Sequence, residues 1–192
     1  TFESVSDDYQ IAVTLRTIGN IYSLLNQSDQ SLDYYLRALM IFEDIEKEEE
    51  VAASVMMIGD VFSQWSQTEK AILFFERSLS IHQKLGDHGG VLQSENKLAQ
   101  SLMAMGRFEE AQNHLERALV IADENDAIVP LANLYTSLGE LHYHQFQLNT
   151  AQKYFLDALE MKRSIGNQGD IAIALSDVGR VYHESGDTPK GV

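Results

Sequence analysis

The chain has 192 residues, 44% of them hydrophobic and 9% aromatic, with two prolines and no cysteine, a composition that supports a packed core and excludes a disordered chain or a disulfide scaffold. Fourteen Lys and Arg against 29 Asp and Glu leave a formal net charge of −15, which argues against nucleic acid or an anionic membrane as partner, since both need neutralising cations. No run approaches the ~20 consecutive apolar residues that span a bilayer, no basic-then-apolar leader precedes the first repeat, and the lack of cysteine fits a reducing, cytoplasmic setting.

At the N-terminus, Phe2-Glu3-Ser4-Val5 followed by Ile11-Ala12 matches Phe42-Glu43-Asp44-Ile45 and Val51-Ala52 at an offset of 40. Residues 1–10 therefore read as the tail of an earlier helix B, in a fragment of a longer protein. The same offset then organises the whole chain. Gly19, Gly59, Ala99, Gly139 and Gly179 each follow an apolar residue and precede, three places on, Tyr22, Phe62, Leu102, His142 and Tyr182. Such a residue on one helix lets the next approach closely. Twelve residues on stand Ser31, Ala71, Ala111 and Ala151, and seven further Ala38, Ser78, Ala118 and Ala158, with Tyr35, Phe75, Leu115 and Phe155 between them. Spacings of 3, 4 and 7 place these residues on one stripe of a helix.

Each 40-residue unit thus predicts helix A, a tight turn, helix B and a loop, with repeats over 11–50, 51–90, 91–130 and 131–170 and a partial fifth over 171–192. Inner turns are expected at Asn26–Asp29, Ser66–Thr68, Met105–Arg107 and Ser185–Asp187, with Phe146–Asn149 the least turn-like copy; Gly, Asn and Asp suit a left-handed residue or a cap. Outer loops are expected at Leu85–Gly90 and Ile165–Asp170, and Pro130 marks the start of a helix A, where a missing N–H is tolerated. Pro189-Lys190-Gly191-Val192 enters a fifth helix B, with Gly191 in the slot of Ala71, Ala111 and Ala151.

Small residues in the order Gly19, Ser31, Ala38, with Tyr22 and Tyr35 between them, repeated as Gly59, Ala71, Ser78 and as Gly139, Ala151, Ala158, resemble tetratricopeptide (TPR) repeats. The resemblance covers essentially the whole chain and implies one all-α domain, a right-handed superhelical α-solenoid of antiparallel helix pairs. The proline that usually closes helix B is replaced by Glu43, Gln83, Asp123 and Arg163, and six extra residues per unit are expected to lengthen helix B and the loop. That longer form is similar to arrays in kinesin light chains, Leu-Gly-Asn-type spindle adaptors, bacterial response-regulator phosphatases and bacterial signalling proteins.

The resemblance also implies a concave face lined by the helix A residues outside the small slot and the apolar stripe: Arg16 and Asn20; Met56, Asp60 and Gln64; Asn96, Gln100 and Met103; Thr136, Glu140, Tyr143 and His144; and Arg180. Their amides can both donate and accept, which suits an extended peptide; the bland alternative is ordinary solvated helix surface. Arrays that clamp a chaperone's C-terminal carboxylate are half imitated, since Arg16 and Asn20 fit but Met57, Gln93 and Lys97 do not complete the set. The run Glu46–Glu50 reads as a solvated helix end near the positive N-terminus of the next helix, or as a dock for a basic peptide.

No nucleophile elbow, phosphate loop, dinucleotide fingerprint or H-E-x-x-H motif occurs, so no enzyme activity, cofactor or metal is expected. His142 and His144, two apart on a helix, cannot share an ion; His142 occupies an aromatic slot and reads as a packed core histidine, while His144 lies one turn from Glu140. Trp65, Met103 and Met105 read as gap-filling packing. The expected function is a non-catalytic scaffold that holds a protein or peptide of basic or mixed charge. The alternative is the regulatory region of a bacterial diguanylate cyclase, histidine kinase or adenylate cyclase. Apolar residues at uncapped ends, Phe2, Val5, Val178, Val181 and Tyr182, suggest self-association.

Overall fold

A computed structural model describes residues 2–186, and among these the secondary structure is helical throughout: α1 (Phe2–Leu24), α2 (Ser28–Asp44), α3 (Glu48–Gln64), α4 (Thr68–Leu85), α5 (His88–Ala104), α6 (Phe108–Glu124), α7 (Ile128–His144), α8 (Leu148–Ile165) and α9 (Gln168–Ser185). Consecutive helices pair in antiparallel hairpins. Along α3 and α4, for example, Ser78 Oγ donates to the Ala52 carbonyl at 3.2 Å and Phe62 stacks on Phe74 at 5.3 Å. The all-α helix-pair repeat is the class that the sequence predicts.

From Asn26 onward, every twentieth residue is left-handed: Asn26, Glu46, Ser66, Gly86, Gly106, Asp126, Phe146, Gly166 and Gly186, with φ between 49° and 87°. The N–H after the turn residue reaches back to a carbonyl of the last helical turn, as in Gln27 to Tyr22 at 2.9 Å, Asp87 to His82 at 3.0 Å and Gln147 to His142 at 2.9 Å. This closure satisfies carbonyls that a helix end would leave open. Only four of the nine positions are glycine, so the closure and the packing beyond it impose the conformation on Asn, Glu, Ser, Asp and Phe.

Two expectations are corrected here. The outer loops at 85–90 and 165–170 shrink to short turns, because His88, Gly89 and Gly90 already belong to α5 and Gln168, Gly169 and Asp170 to α9. The cause is capping. Asp87 Oδ1 accepts from Gly90 N at 3.1 Å, and Asn167 Oδ1 accepts from Gly169 N at 3.0 Å, so each helix starts at once. The six extra residues therefore lengthen no loop; α2 to α9 all have 17 or 18 residues. Pro130 is the third residue of α7, still in the first turn. Secondly, residues 2–10 form the opening turns of α1 with no left-handed break. The backbone closure that makes the later turns is not formed at Ser6-Asp7-Asp8, so the helix runs on and each added residue gains a hydrogen bond.

The fine contacts explain the small slot. A Cβ on Gly19, Gly59 or Gly139 would stand 2.6 Å from the ring of Tyr35, Phe75 or Phe155, the aromatic residue sixteen places on. In the third hairpin Ala99 and Leu115, both fully buried, replace that glycine and ring. Beside each key lies a second contact, Tyr22 on Tyr34 at 5.4 Å, Phe62 on Phe74, and His142 on Tyr154 at 5.4 Å. His142 is thus a half-buried stacking partner at the hairpin edge, held by Gln147 at 2.7 Å, rather than a core residue.

The chain divides into two compact units, one up to Ser94 and one from Glu95. The first has its core in Ala12, Tyr35, Phe42, Val55, Ile58 and Val61. A core cluster of the second contains Phe155, Leu159, Ala174, Val178 and Val181. Val178 and Val181 are therefore buried, at 2% and 0% exposure, and are not the sticky end residues expected of them; helix periodicity turns Ile173 and Leu175 outward instead. The fifth helix B, with Gly191, and the side chain of Phe2 lie outside the described residues.

Candidate functional site

In the first unit, folding uses several of the residues expected to face a partner. Arg16 lies over the Phe42 ring at 5.1 Å and pairs with Glu50 of α3. Glu50 also accepts from Tyr9 Oη at 2.7 Å. Burial raises the Glu50 carboxyl, but the hydrogen bonds from Tyr9 and Arg16 outweigh it and leave it below the usual carboxylate range. Glu50 therefore links α1 to α3 and is more than a solvated helix end, although Glu48, Glu49 and Glu50 do fall in the first turn of α3. Asn20 Oδ1 accepts from Tyr35 Oη at 2.8 Å, and Gln64 Oε1 accepts from Ser28 Oγ at 3.1 Å. Met56 and Asp60 are half-buried on α3. A cleft of about 700 Å³ beside the acidic run is lined by Val5, Tyr9, Glu48, Glu49, Glu50 and Leu85.

In the second unit, Met103 is buried at 7% exposure and belongs to the packing; it is removed from the candidate surface because its position on α5 turns it inward. Gln100 Nε2 donates to Ser137 Oγ at 3.4 Å, while the Asn96 Oδ1 atom is buried with no hydrogen-bond donor among the described residues. His144 is exposed, and its ring stacks on Phe108 at 6.3 Å.

The remaining four converge. Thr136, Glu140 and Tyr143 follow one face of α7, and Arg180 of α9 lies over the Tyr143 ring at 4.7 Å and over Phe155 at 5.8 Å. Arg180 also pairs with Asp177 at 3.1 Å. Beneath them Lys162 of α8 is 6% exposed and donates to Thr136 Oγ1 at 2.9 Å. Burial raises the Glu140 carboxyl and the neighbouring Asp177 charge adds to it, against the pull of Arg180, His144 and Lys162. Burial raises Asp177 too, opposed by Arg180 and Lys162. Two acids and two cations thus share a poorly solvated face with an aromatic floor.

Sequence reasoning missed Lys162 and Asp177. Lys162 occupies the column of Phe42, His82 and Ala122, so a lysine there was a visible break in a column with no other Lys, Arg, Asp or Glu. A second missed group is Glu95, 1% exposed, whose carboxylate is gripped by Arg117 through Nε at 2.9 Å and Nη2 at 3.1 Å and by His114 Nδ1 at 2.5 Å. Burial pushes Glu95 up, yet those bonds together hold it below the ordinary value. It replaces Leu15, Val55, Tyr135 and Leu175 of the other repeats, an apolar-stripe violation readable in the sequence.

Among the described residues no group of three or more His, Asp or Glu is placed to hold a metal, and no helix is long and apolar enough to cross a membrane.

Tetratricopeptide-repeat family models match residues 10–84 and 130–190, and a related one matches 91–122. No curated protein matches the sequence. Solved structures do. Aspartyl phosphate phosphatase F from Bacillus subtilis superposes with TM-score 0.81 at 18% identity, over 91% of this chain and 45% of that one. A Rap protein complexed with Competence and Sporulation Factor gives TM-score 0.81 at 22% identity, over 90% and 48%. The TPR-like repeats of a putative kinesin light chain from Podosopora anserina give 0.71 at 16%, over 93% and 88%. The chain spans about half the length of the first two, and at such identities the likeness concerns the fold.

Proposed function

Because the chain belongs to the tetratricopeptide-repeat family, we propose that it is a non-catalytic interaction scaffold whose helix A faces hold a peptide or helix of a partner protein. The observation that supports this most is the convergence of Thr136, Glu140, Tyr143 and Arg180 on one face of α7 and α9, where polar groups and an aromatic ring lie together without forming a reactive constellation. A Rap conjugation gene regulator of similar fold, solved in complex with the Phr* peptide, makes a peptide a reasonable class of occupant. The net charge of −15 and the acidic cleft at Glu48–Glu50 favour a partner with basic segments, attracted over a distance set by salt.

The test is selection of blocked hexapeptides from a random pool on immobilised protein, followed by calorimetry. Replacing Tyr143 with Ala, or Asn96 and Gln100 together, weakens the selected peptides, whereas Lys153→Ala on the exposed side of α8 does not. Equal effects of all these changes, or binding that ignores them, refute the assignment.

A second reading is a regulatory region of a bacterial signalling enzyme. It is favoured by the fold shared with aspartyl phosphate phosphatase F, of which this chain spans less than half. A catalytic signature encoded downstream of Val192 supports it; repeats followed by a stop codon count against it.

A further inference from the structure

Lys162 and Glu140 are each short of partners. Lys162 is 6% exposed as a residue, its ammonium carries three N–H donors, and among the described residues one of them is used, on Thr136 Oγ1. Thr136 in turn donates to the Ala132 carbonyl at 3.1 Å, so it is fully committed as donor. No carboxylate lies within 4.0 Å of Lys162 among the described residues. Glu140, half-buried on α7, feels Lys162, Arg180 and Asp177 electrostatically, yet makes no hydrogen bond or ion pair with any described residue. A largely buried cation with spare donors is costly to leave unsatisfied, and the half-buried Glu140 carboxylate offers free acceptors on the same face.

Charge narrows what can complete them. A carboxylate would meet Lys162 and Arg180 but also Glu140 and Asp177; a guanidinium would meet the reverse. Neither gains cleanly where the acids Glu140 and Asp177 stand against the cations Lys162 and Arg180, with His144 beside them. A neutral group that accepts at one end and donates at the other satisfies both without adding charge, and the peptide unit is the commonest such group in proteins. The upward displacement of Glu140 is consistent with this, because Lys162 does not compensate its burial as a contacting ion pair would.

We propose that Lys162 and Glu140 form an amide-reading site, in which the Lys162 ammonium donates to the carbonyl of one amide of the bound peptide and the Glu140 carboxylate accepts from its N–H. This rests on the peptide-binding reading above and deepens it. The amide belongs either to the peptide backbone or to an Asn or Gln side chain; the chemistry is the same.

The best binder from the acetylated and amidated hexapeptide pool is titrated by calorimetry into the wild-type chain, Lys162→Met and Glu140→Ala. It is used as selected, with each Asn or Gln changed to Leu, with each backbone N–H methylated in turn, and with each charged residue changed to Ala. One amide change is expected to weaken wild-type binding about tenfold, the scale of a hydrogen bond to a charged group, and to cost less than about twofold in both variants. A side-chain change giving this pattern assigns the amide to Asn or Gln; an N-methyl change assigns it to the backbone. Amide changes that cost the same in wild type and variants overturn the proposal while leaving peptide binding intact, as does coupling of the variants to a charged residue of the peptide. Failure of every hexapeptide to bind wild type overturns both readings. Should Lys162→Met not keep the helical circular dichroism of the parent, Glu140→Ala carries the test, since its side chain is outside the core.

Discussion

Substituting alanine for glycine adds one methyl group, and in this chain the same change should act in opposite directions at Gly59 and Gly179. In a helix the exchange by itself gains about 1 kcal/mol. At Gly179 no described residue lies within 4 Å of the new Cβ, so that gain is realised. At Gly59 the Cβ would stand 2.6 Å from Phe75 Cε1 and 2.8 Å from Cδ1, and Phe75, 1% exposed, has nowhere to swing. Overpacking of this kind costs about 1–3 kcal/mol and more when the neighbour is locked. Gly59→Ala is therefore expected to destabilise by about 1–2 kcal/mol net, a contrast of about 2–3 kcal/mol with Gly179→Ala. The third hairpin supplies the repair. Combining Gly59→Ala with Phe75→Leu copies Ala99 and Leu115, so the double variant should be more stable than its two singles added, with a coupling of about 1 kcal/mol. Urea unfolding followed by circular dichroism at 222 nm measures all five proteins, wild type included. A Gly59→Ala midpoint at or above wild type, or additive behaviour of the double variant, refutes the keyed-contact account.

Glu95→Gln removes the anion that Arg117 and His114 grip and is expected to cost about 2–3 kcal/mol at neutral pH, read from the same urea midpoints. Because the Glu95 and Glu50 carboxyls are held below their unfolded values, their contribution is complete above the ordinary carboxylate range and is lost as pH falls through the lower folded values; the Glu95→Gln deficit should accordingly shrink in acid. Glu140 has the reverse sign, being raised, so Glu140→Gln should raise the midpoint at neutral pH and lose its advantage as acid protonates the parent. Gly90→Ala would place a Cβ 2.1 Å from His82 Nδ1 and is expected to cost about 2 kcal/mol, relieved by His82→Ala, the residue type that Ala122 supplies one repeat later; thermal melts of the three proteins decide it. Asn167→Ala removes the cap on Gly169 and Asp170 N–H and should cost about 1 kcal/mol, visible as faster amide exchange in the first turn of α9.

The hairpin order and the pairing of small with bulky residues were legible because packing repeats: Gly19, Gly59 and Gly139 each face a ring sixteen residues on. The short outer turns were not, since Gly89 and Gly90 look like loop until the cap from Asp87 is seen to start the helix before them. Phe146 shows the same limit from the other side. Its composition argues against a turn, yet it sits at φ 59° and 89% exposed because the closure around it is made by backbone groups. For the candidate site, helix position gave Thr136, Glu140, Tyr143 and Arg180 as expectations together with Met103, which is buried at 7% exposure. Arg16 and Asn20 proved to be engaged within the fold, which depends on Glu50 and Tyr35 arriving from other helices. Lys162 lies on a helix B, whereas the resemblance implies a face lined by helix A residues.

The regular interval between left-handed residues makes this backbone interchangeable with itself. A genetic crossover that joins the codon of Asn26 to that of Gln67, or the codon of Gly86 to that of Ala127, removes one hairpin and reconnects two helix ends of near-identical dihedral setting, leaving no scar in the register. Inserting or deleting a lone residue inside a helix would instead rotate every later side chain by about 100° and throw rings away from their glycines. Lineages of such a chain can therefore grow and shrink in whole pairs while their surface chemistry drifts hairpin by hairpin.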